Sequence, residues 1–586
     1  MFKNLKLLVV ANFYRIGSAG LNWKNTGSWS STSGGVSNGV GEPTNTDAVL
    51  FDTNSPATVT VAGPAAGASL SLNKASLVIT LNGGSIVISG TTTTVLATVI
   101  NKTAAETFST NGSSQNTTGG LSGTAKIILT GGTWQVTGGT NNIANDLDIQ
   151  GNVTLGTTCR YTTGTLTYVS GTITVTGSTL SIQGACTLNL NGFTLNNLTI
   201  NFNVTLISNI ACSGTLAGGA VLTATTSETI TASGGITLGN CSGTVKIIFT
   251  GGTWSSGSTI ANSIDLQGNV TIGNVRYGNN GTLAGGKTLT YVSGTISCTG
   301  TMSIQGSATF NTSGVTWNIL SAVGSSAALT LTSNFLAASL TLAANNIVIN
   351  KTASETSTFT NGITANSPIT GTAKIILTGG TWSGSNTTGI GNNMDLQGTI
   401  TISGNVYYGI NTLTYVSGTI TVTGSTLNLT SSCTLIGGTY NNITLSNTTA
   451  LTYTINTTTV TANGTLTIGT GATTTFAGTA GFTCATLSCA NTGATTINFK
   501  ESITYTITTA LTCKDSRVGA IVLFTSSHAS TKAILTLQNG ASNNVLASFT
   551  RIDASGGRPI RSFMGVISDC LNVENCNDLL TVSSAA

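Results

Sequence analysis

The stretch Gly371–Trp382, GTAKIILTGGTW, occurs twice more, as GTAKIILTGGTW at Gly123–Trp134 and as GTVKIIFTGGTW at Gly243–Trp254. Each copy leads into a second shared phrase: LDIQGNVTLG from Leu147, IDLQGNVTIG from Ile264, MDLQGTITIS from Met394. A third follows: LTYVSGTITVTG from Leu166, LTYVSGTISCTG from Leu289, LTYVSGTITVTG from Leu413. A unit of roughly 120 residues is thus present three times in one internal order.

Inside the unit runs a shorter period. Its steps lead from Lys126 to Leu147, from Leu147 to Leu166, and, more briefly, from Leu166 to Leu180. Each step carries a short apolar alternation rich in Thr, Val and Ile, bounded by Gly, Asn or Ser, which is the strand signal. β-Branched residues suit a pleated, half-buried surface. No long stretch has a helical apolar period, so almost no helix is expected. A short strand-turn unit cannot bury its own apolar face and must stack on its neighbours. The expected fold is therefore all-β: a parallel β-solenoid (β-helix) with coils of about 14–21 residues and three tandem units. At a strand spacing of about 4.8 Å, roughly 20 coils give a rod on the order of 100 Å long. The competing fold is a string of β-sandwich domains. It fits less well, because sandwich strands come every 8–12 residues or so, and because only five prolines occur in the chain, none marking a linker between units.

The expected organisation is an N-terminal cap or attachment module (1–62), lead-in coils (63–125), repeat units at 126–240, 241–365 and 366–490, and a C-terminal β-rich segment (491–586). The last is charge-enriched, with 13 charged residues between 500 and 578, and could act as second cap, oligomerisation element or receptor-binding tip. Its turn SGGRPIR makes Arg558 and Arg561 candidate contacts for an anionic glycan or a neighbouring subunit. Residues 1–11, MFKNLKLLVVA, have a basic start but an apolar core of about six residues, short of the roughly 7–15 of a secretory signal. They are expected to be an ordinary first strand.

Charge is only 6% of the chain and the net charge is +4, with no basic cluster, which argues against nucleic acid as a partner. No run of 18 apolar residues exists, so no membrane insertion by helix is expected. The rare charges recur: Glu106, Lys126 and Asp148, then Glu228, Lys246 and Asp265, then Glu355, Lys374 and Asp395. Within each trio, one charge follows the previous one by about one coil. Stacking would place glutamate, lysine and aspartate on successive rungs as a structural charge ladder. Such a ladder disfavours slipped pairing. A glycosidase reading needs carboxyls about 5 Å apart, or about 6.5–9.5 Å. Carboxylates on alternate coils stand roughly 10 Å apart, with lysine between. Asp146 and Asp148 form a closer pair in the first copy only.

Trp134, Trp254 and Trp382 end the organising phrase, and Tyr168, Tyr291 and Tyr415 recur in the third. They are either packing residues repeated by duplication or aromatic platforms for sugar rings. The eleven cysteines are odd in number, follow no repeat spacing and contain no C-x-x-C. They fit assembly in a reducing cytoplasm better than a secreted disulfide framework. Cys298 replaces Val175 and Val422 of the sister copies and reads as a small buried hydrophobe, while Cys570 and Cys576 could pair. With His528 the sole histidine and no hydrolase, zinc or phosphate-loop motif, no catalytic residue, cofactor or metal is assigned.

The pattern FYRIGSAGLNW…GSWSSTSGG…EPTNTDAVLFD, within residues 12–62, resembles an N-terminal module of Gly/Thr/Asn-rich β-helical virion proteins of tailed bacteriophages. It resembles autotransporter-like bacterial adhesins more weakly. The array resembles either group only in style. The resemblance implies a tail fibre, spike or capsid-attached fibre, assembled in the host cytoplasm and forming a homotrimer. Its partners would be other virion proteins and a host-surface glycan or receptor. It carries over no functional residue. On this reading the chain is a non-enzymatic structural and adhesive rod of a virion. The alternatives are a secreted or cell-surface adhesin and a tailspike-type polysaccharide depolymerase.

Overall fold

In a computed structural model, residues 12–16, 23, 28–33, 41–136, 142–175, 177–191, 193–278, 287–422, 424–446, 449–469, 472–491, 494–515, 522–562 and 566–575 are described. The candidate leader at 1–11 and Cys576 lie outside them. The described chain is strand after strand, with no α-helix.

Nearly every strand pairs in parallel with a strand one coil later, which makes the fold a parallel β-solenoid. Ile127 pairs with Leu147, Leu147 with Leu166, Leu166 with Leu188 and Leu188 with Leu206, each step being one turn. The shorter step from Leu166 to Leu180 is not a turn of the solenoid. Leu180 pairs instead with Cys159 and Leu198, so the two leucines belong to different faces of one coil. Each coil has three faces. In the organising phrase they are represented by Ile127, Trp134 and Ile143, which pair onward with Leu147, Leu155 and Tyr161.

The alternation of the sequence becomes alternation of burial. Thr179–Ile182 and Asn197–Ile200 turn Leu180, Ile182, Leu198 and Ile200 inward, each at most 1% exposed, and thread the interior with aliphatic ladders. Burying a side chain of this size stabilises the fold by about 1.5–3 kcal/mol, and one coil alone could not enclose it. The outward threonines and asparagines have a second task at the corners. An asparagine Oδ1 accepts the backbone N–H of a residue one coil later: Thr124 to Asn101 (3.2 Å), Thr215 to Asn197 (2.8 Å), Thr229 to Asn209 (2.9 Å), Thr356 to Asn334 (3.1 Å) and Thr465 to Asn442 (2.8 Å). These clips satisfy backbone groups that turns leave outside the ladder.

One glycine contact recurs with the third phrase. Gly171, Gly294 and Gly418 hold φ of 97°, 91° and 97°. A Cβ on them would lie 1.8, 1.9 and 2.0 Å from the carbonyl oxygens of Gly151, Gly268 and Gly398 on the preceding coil. Backbone meets backbone at this corner, which is why both phrases carry a glycine there.

The chain divides into two compact units, Met1–Val275 with Val292–Ser297, and Arg276–Tyr291 with Cys298–Ala586. The division falls inside the second sequence repeat.

In the first unit, Asn12–Arg15 lies parallel to Ala48–Phe51 and antiparallel to Trp29–Ser30. Phe13, Trp23 and Phe51 pack edge to face on Trp29 around this first coil, with Trp23 and Trp29 centroids 5.0 Å apart. The buried Arg15 guanidinium sits 5.4 Å from the Trp29 ring centroid and donates to Ser28 O at 2.9 Å. Burial lowers its pKa to about 10.

This unit also holds two copies of the organising phrase, on different faces. The column of Ile127 runs through Leu147, Leu166, Leu188 and Leu206, then through Val221–Ala224 and Cys241–Gly243, and arrives at Ile260. The column of Ile143 runs through Thr158–Tyr161, Thr179–Ile182, Asn197–Ile200, Thr215–Gly218 and Gly235–Leu238, and arrives at Trp254. The second copy is therefore rotated by one face: the sequence between the copies overshoots a whole number of turns by one strand.

In the second unit the charge-enriched C-terminal segment continues the same parallel coils. Ile497 pairs with Phe524, Phe524 with Phe549 and Phe549 with Ile567. The first two of these steps take in more chain than the turn from Ile127 to Leu147. Phe476, Phe499, Phe524 and Phe549 stack face to face through them, 4.9–5.9 Å apart and within 8° of parallel.

Candidate functional site

The recurring charges divide into two structures. Lysine and aspartate pair in every copy: Lys126 Nζ to Asp148 Oδ2 at 3.2 Å, Lys246 to Asp265 at 3.1 Å, and Lys374 to Asp395 at 3.0 Å. The register explains the partner. Ile127 lies opposite Leu147, so Lys126 and Asp148 are diagonal neighbours on the outward face of adjacent coils. Ile375 opposite Met394 repeats the arrangement. The lysines are 39–48% exposed, so each pair contributes at most about 1 kcal/mol.

The glutamates do not join that ladder. Among the described residues no ion pair connects Glu106, Glu228 or Glu355 to a lysine. Each closes its own T-x-x-E turn. Glu106 accepts the N–H of Gly83 (2.7 Å) on the preceding coil, the N–H of Ala104 (2.6 Å) and the Thr103 hydroxyl (3.1 Å). Glu228 accepts Thr226 N–H (2.8 Å) and the Thr225 hydroxyl (2.9 Å). Glu355 accepts Ala353 N–H (2.7 Å) and Thr352 N–H (3.0 Å). A glutamate recurring with threonine three residues before it was the available signal, and it marks a capped turn. Amide donation, led by Gly83 for Glu106 and by Thr226 for Glu228, holds both carboxyls down at about 2. Glu355 is lowered too, first by Ala353 N–H. A carboxyl so depressed has no proton to donate near neutral pH. Asp146 likewise accepts Thr165 N–H at 2.8 Å, while Asp148 is held by Lys126.

Trp134, Trp254 and Trp382 are at most 1% exposed, so they pack the interior and offer no surface platform. Beside the organising phrase lies a feature that charge and aromatic patterns do not signal. Asn145 is buried and donates from Nδ2 to Ala125 O at 2.9 Å, and Asn262 and Asn392 make the same bond to Val245 O (3.0 Å) and Ala373 O (2.8 Å). Tyr161 Oη donates to Asn145 O (2.9 Å) and Tyr408 Oη to Asn392 O (2.8 Å). These polar posts brace a corner from inside. Their signal is an asparagine three residues before each repeated aspartate: Asn145, Asn262, Asn392.

Of the recurring aromatics, Tyr168, Tyr291 and Tyr415 are the ones that reach the surface. All three are half-buried, and each is followed by a valine 50% exposed, Val169, Val292 or Val416. Tyr168 Oη donates to Gly171 O (2.8 Å) and Tyr415 Oη to Gly418 O (2.7 Å), anchoring the ring over its own turn. A depression of about 280 Å³ opens beside Tyr415. Another, of about 350 Å³, lies beside Glu228, Asn189 and Asn209.

Arg558 donates to Ala541 O, and exposed Arg561 is ion-paired with Glu574 at 3.0 Å. Both candidate C-terminal contacts thus have partners within the chain. The ten described cysteines are free thiols, eight of them buried. Cys298 is half-buried, as is Val175 at the matching position of the first copy, so the position is a coil edge and not the interior site expected. His528 Nδ1 accepts the N–H groups of Ser530 and Thr531, both at 3.2 Å, and shapes its own loop. Among the described residues no cluster of three His, Cys, Asp or Glu side chains is placed to hold a metal. Comparison of the chain with protein-family models, curated proteins and solved structures finds no match.

Proposed function

We propose that this chain is a non-enzymatic structural and adhesive component of a phage particle, a tail fibre or other fibre, that contributes to particle architecture and host-surface attachment. The observation that carries the reading is the repeated surface. Each copy of the third phrase presents the same half-buried tyrosine and half-exposed valine on a scaffold of in-register coils. Weak contacts repeated along one chain gain strength by multivalency. Other virion proteins, further copies of the chain and a host glycan or receptor are the partners that this role requires. The resemblance of residues 12–62 to phage β-helical proteins adds a second line of support.

The depolymerase alternative would draw its acid and base from the repeated carboxylates. The involvement of Asp148, Asp265 and Asp395 in ion pairs, and of the glutamates in turn caps, counts against it. The test is electron microscopy of phage particles with an antibody to residues 500–586. Label at fibre tips supports attachment of the virion to its host through this chain. Label confined to a tail tube or capsid wall removes the adhesive role, and absence of label from particles favours a bacterial surface adhesin.

A further inference from the structure

The tyrosine of the third phrase has different company in the first and third copies. In the first, Phe193 reaches back from the next coil and lies against Tyr168, centroids 6.1 Å apart and planes 32° apart. Phe193 immediately precedes the strand Thr194–Leu195. The corresponding strand of the third copy is Thr439–Tyr440, and the residue before it is Gly438, with φ of 99°. Where the first copy supplies a ring, the third supplies none, and the depression of about 280 Å³ lies there.

The lining has a consistent chemistry. Tyr415 and Ile420 give apolar surface, Thr419, Thr439 and Thr459 give hydroxyls, and no lining side chain is charged. These residues come from three successive coils, so the depression runs about 10 Å along the stack at a strand spacing of about 4.8 Å. The Tyr415 ring is held in place by its bond to Gly418 O, so little freedom is lost on binding. Phe193 demonstrates that a six-membered ring fits against this tyrosine in the related copy.

We propose that the depression beside Tyr415 binds a neutral saccharide, one pyranose ring lying on the tyrosine where Phe193 lies in the first copy, with the threonine hydroxyls bonding the sugar hydroxyls. The inference rests on the adhesive reading above and names its ligand class. A charged glycan is disfavoured by a lining that offers it no counter-charge.

Isothermal titration of the full chain with maltose, cellobiose and lactose, and with a sulfated heparin disaccharide for comparison, tests the site. At least one neutral disaccharide is expected to bind. Tyr415→Ala weakens it by about tenfold, the scale of a lost aromatic contact. Thr459→Arg, at an exposed position clear of the interior, weakens it comparably and guards against misfolding of the first variant. Phe193→Ala uncovers Tyr168 and raises the stoichiometry by one. No binding of any neutral disaccharide, tighter binding of the sulfated one, unchanged affinity in both site variants, or an unchanged stoichiometry in Phe193→Ala overturns the proposal. Equal adherence of wild-type and Tyr415→Ala chains to host cells overturns this site and leaves the adhesive reading standing. Failure of the wild-type chain to adhere removes both.

Discussion

Replacing Gly171 by alanine isolates the backbone contact that joins the second repeated phrase to the third. Two costs add. Gly171 has φ of 97°, where an L-residue loses about 1–2 kcal/mol. The new Cβ would also lie 1.8 Å from Gly151 O and 2.2 Å from its carbonyl carbon, so the corner must move by more than an ångström. Overpacking of this kind costs about 1–3 kcal/mol, for a total of about 2–5 kcal/mol. Gly177, beyond the short strand Ile173–Thr174 that follows Gly171, is the control. Its φ is 69° and nothing lies within 4 Å of its Cβ position, so Gly177→Ala carries only the conformational cost of about 1 kcal/mol. Stacked coils open locally, so the assay is native-state hydrogen exchange and not a single global melt. The amides to follow are Val153, bonded to Thr172 O, and Val169, bonded to Ile149 O, both at 2.9 Å. Gly171→Ala is expected to lower their protection about 30-fold more than Gly177→Ala, equivalent to about 2 kcal/mol. Equal effects of the two substitutions, or unchanged protection in Gly171→Ala, would refute the reasoning.

Three further outcomes are expected. Glu106 and Glu228 have folded pKa values near 2 against an ordinary 4.5, so their stabilisation is present above pH 4.5 and is lost as pH falls toward 2. Glu106→Gln should flatten the acid limb of a stability–pH profile, and an unaltered limb would contradict the turn-cap assignment. Tyr161→Phe removes the hydroxyl bonded to Asn145 O in the interior and should cost about 1–3 kcal/mol in denaturant unfolding of that region; a neutral result would show that the post bears no load. Lys126→Met, by contrast, should change stability by less than about 1 kcal/mol, a difference that shrinks further as salt is added, because the pair is partly exposed and so screened.

The amino-acid sequence by itself determined the fold class. Two-residue alternation with Thr, Val and Ile states which side chains face inward, and a strand too short to bury its apolar face must stack on copies of itself. It determined the Lys–Asp rungs as well, since a spacing of about one coil brings opposite charges together wherever the coils stack in parallel. Which strand stacks on which was decided in three dimensions. That choice depends on how many residues each corner consumes, and corner length varies while alternation does not. Leu166 and Leu180 look in sequence like successive coils and are two faces of one. The second GTVKIIFTGGTW repeats the first in letters yet lies one face around, because the intervening corners add one strand beyond whole turns. Burial of the tryptophans, the inward turn of Asn145 and the local capping by Glu106 follow from that stacking. So does the difference between a tyrosine covered by Phe193 and one left open at Gly438, since the covering residue arrives from the next coil and only the register says where it lands.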